Sequence, residues 1–207
     1  MKLHHHRKTY TKAELTEDTI VSNPIDQFRV WYQEALDSEI LEANVMTLAT
    51  ATKEGKPSAR IVLLKEFNSN GFVFYTNYSS RKGEEIEQNP QVELLFFWDV
   101  LERQVRIEGR IEKLPKEIPE EYFYSRPIES QMGAVVSEQS KVIASRFVLE
   151  EKLQALKKEE IKMPDNWGGY WVVPFRIEFW QGRPSRLHDR IVYTQIQDAW
   201  KIERLSP

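Results

Sequence analysis

Groups able to do chemistry crowd toward the end of this chain. Trp180–Arg190, reading W-Q-G-R-P-S-R-L-H-D-R, packs one Trp, three Arg and one His into eleven residues. His188 is the only histidine outside the run His4–His6. Arg186, His188 and Arg190 stand at period two, so an extended backbone would put them on one face. Guanidinium and imidazole groups beside a Trp suit a planar, anionic ligand. The same pattern also fits a charged edge strand with an amphipathic Trp. The run His4–His6 has the look of an expression scar and is left out of the functional argument.

Other stretches carry groups suited to anions. Arg60-Ile61-Val62-Leu63-Leu64-Lys65 reads as a strand with a cation at each end. Five positions apart, Arg60 and Lys65 are expected to face opposite sides and to serve different groups, unless one is simply solvated. In Tyr75-Thr76-Asn77-Tyr78-Ser79-Ser80-Arg81-Lys82 a strand ends and a helix begins. Ser N-caps, free backbone N–H groups and two adjacent cations form an anion site there, although a charged helix start needs no ligand. Tyr122 and Arg126 are four apart on a short helix over Pro119–Arg126. Ser130 lies four further on, past Pro127. The three offer a phosphate dianion a phenol, a guanidinium and a hydroxyl. Gln104 shares a strand face with Arg106, opposite Val105, Ile107 and Ile111, where its amide can donate and accept.

The elements that must hold these groups follow from the pattern. Asn23-Pro24 starts a helix, with Asn as N-cap and Pro at the first position. Phe28, Trp31, Ala35 and Leu36 give it an apolar face, and it is expected to run to about Ile40. From Val45 the pattern turns to short β-rich runs: Val45–Thr52, Ser58–Lys65, Phe72–Asn77, Gln91–Trp98 and Arg103–Leu114. Asn70-Gly71 marks a hairpin. Tight links predict an antiparallel meander closed as a barrel. After Ser137–Ser140 a long helix is expected on Val142, Leu149, Leu153 and Leu156. In Tyr170–Trp180, Phe175, Ile177 and Phe179 are expected on one face and Arg176, Glu178 and Trp180 on the other. Gly182 and Pro184 break that strand into a turn, and Arg190–Ile196 with Trp200–Leu205 form a closing hairpin. The fold class is α+β, mainly β with flanking helices. Residues 1–22 read as a flexible arm, 23–166 as the barrel domain with helices, and 167–207 as a C-terminal region of that domain.

Composition bounds the function. The 207 residues are 41% hydrophobic and 29% charged, as in an ordinary globular domain. A formal net charge of -3 gives no sign of nucleic-acid binding. Without cysteine there is no thiolate catalysis and no Cys-ligated metal. No metal site is expected. No G-x-G-x-x-G or G-x-x-x-x-G-K occurs, so a phosphate must be held by side chains and a helix start. No apolar run approaches the ~20 residues of a membrane helix. The expected location is the cytoplasm.

These motifs closely resemble the pyridoxamine 5'-phosphate oxidase family of FMN enzymes. The segments R-I-V-L-L-K, Y-T and R-K match letter for letter, and Y-F-x-S-R-P-x-x-S-Q matches at every fixed position. The resemblance runs from about Arg7 to Pro207. It implies an antiparallel FMN-binding split β-barrel and a homodimer whose flavin lies between subunits. It places FMN on Arg60, Ile61, Val62, Leu63, Leu64, Lys65, Tyr75, Thr76, Arg81, Lys82, Gln104, Gln139, Ser140, Trp180 and Arg190. It places the substrate phosphate on Lys65, Tyr122, Arg126 and Ser130, and its pyridine ring on Arg186, Leu187 and His188. Arg186 and His188 are the implied catalytic pair. Arg7, Lys8, Thr9 and Tyr10 would fold over the substrate. The implied reaction oxidises pyridoxamine or pyridoxine 5'-phosphate to pyridoxal 5'-phosphate, with oxygen giving hydrogen peroxide. The alternative is a flavin- or pyridoxal-phosphate-binding protein that performs no oxidation.

Overall fold

The computed structural model describes residues 1–5, 8–157 and 161–207. Among them are nine strands in one antiparallel sheet: β1 (Val45–Ala51), β2 (Pro57–Leu63), β3 (Glu66–Asn68), β4 (Gly71–Asn77), β5 (Gln91–Trp98), β6 (Arg103–Lys113), β7 (Trp167–Gln181), β8 (Asp189–Ile196) and β9 (Ala199–Arg204). The order is β2-β1-β5-β6-β7-β4-β3, with β8 on β7 and β9 on β8. Helices are α1 (Pro24–Leu36), α2 (Arg81–Gln88), α3 (Glu117–Ser125), α4 (Ile128–Val136) and α5 (Arg146–Ala155).

The sheet curls into a split barrel, and β7 is where it splits. One edge of β7 pairs with β6. The other edge takes β4 along residues 167–172 and β8 along residues 176–181. The expected meander therefore does not form. Helix α2 carries the chain away after β4, so β5 pairs with β1 instead, and β4 is left for β7.

Phe28 and Trp31 of α1 are buried in the barrel, Phe28 against Phe72 and Phe96 at 5.0 and 5.1 Å and Trp31 edge-on to Phe179 at 5.1 Å. Each such ring contributes roughly 1.5–3 kcal/mol by leaving water. Asn23 caps α1 by accepting from the Ile25 N–H at 2.8 Å. The helix stops at Leu36 rather than near Ile40. Asp37 and Ser38 end it, the Ser38 hydroxyl donating to the Ala35 carbonyl at 2.7 Å in competition with the helical ladder.

Three other expectations change. Phe175 does not share a face with Ile177 and Phe179: the register between β6 and β7 slips at Glu108/Gly109, and Phe175 is left unpaired and exposed in a bulge beside Pro174. The helix after Ser140 begins only at Arg146; Ser140 has a positive φ of 73°, Val142 is fully exposed, and α5 buries none of its residues. The arm, expected to be flexible, is docked from Lys8 onward, while residues 1–5 are exposed. The carboxylate of Glu102, itself buried, accepts from the backbone N–H groups of Thr11 and Lys12 at 2.8 and 3.1 Å and pairs with Lys8 at 3.3 Å. Leu15 is buried, and its N–H donates to Asp189 at 3.1 Å.

Candidate active site

A cavity of about 980 Å³ opens between β2, the start of α2, and the α3–α4 corner. Arg60, Ile61, Val62, Leu63, Lys65, Tyr75, Thr76, Arg81, Lys82, Tyr122, Arg126, Ser130, Gln139 and Ser140 all line it. Leu64 does not: it is buried in the core. Arg60 and Lys65 were expected to face opposite sides, yet both line this cavity. The alternation of β2 ends at Leu63, and Lys65 lies in the link to β3, so strand parity no longer applies.

One end of the cavity is the start of α2. The Ser80 side chain caps the helix by accepting from the Gly83 N–H. Gly83 is required there, because a Cβ would lie 2.0 Å from the Tyr78 carbonyl oxygen. Lys82 is buried, and among the described residues its ammonium donates only to neutral oxygens: Thr76 at 3.0 Å, Ser80 at 3.1 Å and Gln139 at 2.9 Å. Burial, with the nearby Arg60 charge second, pushes its pKa down to about 8. An ammonium without a carboxylate partner, at a helix start, is set to receive an anion. Arg60 is gripped by Thr50, Ser58 and the Leu48 carbonyl, and pairs with Glu85 at 3.2 Å.

The other end is aromatic and cationic. Tyr75 and Tyr122 stack at 4.1 Å, and Trp167 lies parallel to Tyr75 at 5.6 Å. The Arg126 guanidinium sits 5.1 Å from the Trp167 ring and the Lys65 ammonium 5.9 Å from Tyr122. Arg126 donates through Nη2 to the Ser130 carbonyl at 3.0 Å, while its buried Nη1 has no partner among the described residues. An orphaned guanidinium N–H against a cavity again calls for an anionic acceptor. The cavity therefore offers two separate places for a phosphate, with apolar and aromatic wall between them. That fits a flavin mononucleotide together with a second phosphorylated ring.

The remaining predicted residues that the structure describes do not line this cavity. Gln104, Trp180 and Arg190 are successive cross-strand partners on β6, β7 and β8 and form a row with Phe97 of β5. Glu178, 1% exposed, holds Arg190 through both carboxylate oxygens at 2.8 and 3.0 Å. His188 lies 4.6 Å from the Trp180 ring, and Tyr10 of the arm packs on both at 5.7 and 5.8 Å. Gly182 leaves room for this, since a Cβ there would come within 2.7 Å of the Tyr10 ring. Burial, reinforced by the Arg186 charge, lowers the His188 pKa, and its Nδ1 accepts from the Arg183 N–H at 3.0 Å. A neutral His188 therefore carries its proton on Nε2.

The expected common face of Arg186, His188 and Arg190 is not formed. Ser185 and Arg186 have positive φ values of 57° and 64° in a 3-10 turn, and extension resumes only at Asp189. Arg186 and Leu187 are exposed. Lys8 is held by Glu102, and Thr9 is exposed. Arg7 lies outside the described residues.

A family model described as pyridoxamine 5'-phosphate oxidase matches residues 32–158, and one described as the pyridoxine 5'-phosphate oxidase C-terminal dimerisation region matches residues 167–207. The chain belongs to the pyridoxamine 5'-phosphate oxidase family. The pyridoxine/pyridoxamine 5'-phosphate oxidase of Gloeothece citriformis is 56% identical over 206 residues, covering 97% of this chain and 96% of that protein. The enzyme of that name from Salinibacter ruber is 54% identical over 208 residues, covering 97% of each. Among solved structures, PhzG from Burkholderia lata 383 in complex with tetrahydrophenazine-1-carboxylic acid superposes with a TM-score of 0.88 at 26% identity, covering 95% of this chain and all of that one.

Several neighbours of the candidate residues are not legible in the sequence alone. Trp167 completes the aromatic wall, Glu178 anchors Arg190, and Thr50, Ser58 and Glu85 surround Arg60. Only Glu85 left a local trace, standing four residues after Arg81 on one helix. The others depend on strand register, such as the pairing of Thr50 with Ser58. Among the described residues no cluster of His, Asp or Glu could hold a metal, and no helix is long and apolar enough to cross a membrane.

Proposed function

We propose that this chain is an FMN-dependent oxidase that converts pyridoxamine 5'-phosphate and pyridoxine 5'-phosphate to pyridoxal 5'-phosphate, working as a cytoplasmic homodimer. One observation carries the reading: a single cavity holds two groups that call for an anion, the buried Lys82 ammonium, which donates to neutral oxygens and meets no carboxylate among the described residues, and the orphaned Nη1 of Arg126. Two phosphates, one from a flavin mononucleotide and one from a vitamin-type substrate, account for both. Relatives above 50% identity along nearly the whole chain carry the same oxidase name.

A flavin held there would supply the hydride acceptor, with oxygen as the final oxidant giving hydrogen peroxide, and for the amine substrate water would then release ammonia. The protein contributes position and charge. Arg60, Arg81, Lys82 and the α2 start hold the cofactor phosphate, with Thr76, Gln139 and Ser140 beside them. Lys65, Tyr122, Arg126 and Ser130 hold the substrate phosphate. Arg186 and His188, which lie outside the cavity of their own chain, would orient the pyridine ring from a second copy, and Tyr10 with the arm would keep water out. No general-base pair is needed when two rings are held face to face.

The Gln104–Trp180–Arg190 row lies outside the cavity lining of its own chain. In a homodimer the same row from a second copy would complete the flavin site. The match of residues 167–207 to a dimerisation region supports this arrangement. A flavin carrier without oxidase activity would need Arg60, Arg81 and Lys82 but not the Lys65, Tyr122, Arg126 and Ser130 clamp, so that reading is disfavoured.

The test is to extract the flavin from purified protein, identify it by chromatography, and measure oxygen consumption with pyridoxamine 5'-phosphate. FMN, with oxygen uptake, is expected. FAD as the main species, or no oxygen uptake by flavin-loaded protein, would overturn the reading.

A further inference from the structure

Glu85 is an acid inside a site built for anions. Its side chain is 5% exposed, one turn into α2. One carboxylate oxygen accepts from Nε of Arg81 at 2.9 Å. The other accepts from the Thr50 hydroxyl, from the Ser58 hydroxyl at 2.5 Å and from Nη2 of Arg60 at 3.2 Å. Burial alone would raise its pKa, but the bonds from Ser58, Thr50, Arg81 and Arg60 outweigh that and bring it down to about 2. Glu85 is therefore a permanent carboxylate.

We propose that Glu85 is the positioning residue of the cofactor-phosphate site, aiming Arg81 at the phosphate, anchoring Arg60 at its border and offsetting part of their charge. This rests on the reading of that end of the cavity as the FMN phosphate site. Two facts support it. First, Glu85 takes the Nε–H of Arg81 and leaves both of its terminal nitrogens for a ligand, on a side chain otherwise 63% exposed. Without that grip a long, solvated side chain would have to be ordered by each incoming phosphate. Second, Arg60, Arg81 and Lys82 border one cavity, and one carboxylate among three cations leaves two net positive charges. That matches a phosphate monoester, which carries about -1.5 to -2 near neutral pH.

Two effects oppose when Glu85 is neutralised. Losing the carboxylate removes a repulsion on the phosphate, which would tighten binding. Losing the clamp frees Arg81 and loosens Arg60, which would weaken it. The repulsion is screened by the two guanidinium groups that the carboxylate contacts, whereas those contacts are direct hydrogen bonds, so the orienting effect dominates.

The experiment titrates the full-length chain, stripped of flavin, with FMN and with riboflavin, following quenching of flavin fluorescence. Riboflavin shares the ring and lacks the phosphate. Glu85→Gln should weaken FMN binding about tenfold, the loss expected for one charge-assisted hydrogen bond, and leave riboflavin affinity nearly unchanged. In an Arg81→Ala background the same substitution should cost clearly less. Equal losses for FMN and riboflavin would make Glu85 a packing residue, and unchanged or tighter FMN binding would make it an electrostatic brake; either overturns the proposal. If the glutamine variant is not recovered folded, Glu85→Asp, which keeps the charge but draws it back from Arg81, must lower the FMN-to-riboflavin ratio, and an unchanged ratio overturns the proposal equally. Parent protein that binds riboflavin as tightly as FMN would sink the phosphate-site reading itself, before any variant is compared.

Discussion

Replacing Arg126 with methionine should separate substrate binding from both stability and cofactor binding. Without a substrate phosphate, Arg126 keeps one bond, to the Ser130 carbonyl, and faces of Trp167 and Phe123 at 5.1 and 5.7 Å, while its buried Nη1 has no partner. The losses on substitution are about 1 kcal/mol for the bond and ~0.5–2 kcal/mol for the cation–π contacts. The gain is relief of an unsatisfied buried donor, about 1–3 kcal/mol. These nearly cancel, and methionine refills most of the volume. The melting temperature of the ligand-free protein should therefore move by no more than roughly 2–4 °C, the shift produced by 1 kcal/mol in a domain of this size. Substrate use should suffer far more. A charged hydrogen bond to phosphate is worth roughly 1.5–3 kcal/mol, so kcat/KM for pyridoxamine 5'-phosphate should fall about ten- to a hundredfold. Steady-state oxygen uptake gives kcat/KM, and flavin fluorescence gives FMN affinity, which should stay within about twofold of the parent. Loss of FMN with unchanged kcat/KM in the remaining holoenzyme would show that the two phosphate sites have been exchanged.

Further outcomes are expected elsewhere. Lys82, held at about 8, should make FMN binding weaken as pH rises from 7 to 9, and Lys82→Met should flatten that profile. Because an unfolded lysine keeps its proton to higher pH, the flavin-free protein should gain stability as pH rises from about 8 toward the ordinary lysine range; a denaturation series that falls instead would contradict the assigned burial. Arg186→Leu combined with His188→Ala should slow flavin reduction in anaerobic stopped-flow more than it disturbs FMN affinity, and a parent-like rate at saturating substrate would remove both from the catalytic list. Glu102→Ala removes the acceptor of the Thr11 and Lys12 N–H groups, so limited proteolysis near residues 8–12 should quicken, and unchanged cleavage would mean that the arm is held elsewhere.

The cavity's composition was readable in sequence because most of its residues come from contiguous motifs. Arg60 to Lys65 lie on β2 and its link to β3, Tyr75 to Lys82 span the β4–α2 junction, and Tyr122 to Ser130 span the α3–α4 corner, so each group is short in sequence and local spacing brought the right groups together. Period-two and period-3.6 reasoning failed where a single residue broke the repeat. Phe175 drops out at a bulge, Arg186 at a left-handed turn, and Lys65 just beyond the end of a strand. The pairing of β1 with β5, and of β4 with β7, was beyond local pattern, since it depends on which free edge is reached after α2. The docked arm lacked an apolar repeat because backbone N–H groups on Glu102 and one buried Leu15 hold it, rather than an amphipathic face.

The proposed function requires that two rings meet in this cavity and that a hydride passes from one to the other. Its most direct measurement is the absorbance of the purified yellow holoenzyme mixed anaerobically with pyridoxamine 5'-phosphate. Rapid bleaching of the flavin band, one pyridoxal 5'-phosphate formed per flavin reduced, and return of the colour when oxygen is admitted are expected. A flavin that stays oxidised at saturating substrate, in protein that binds both FMN and pyridoxamine 5'-phosphate, would contradict it.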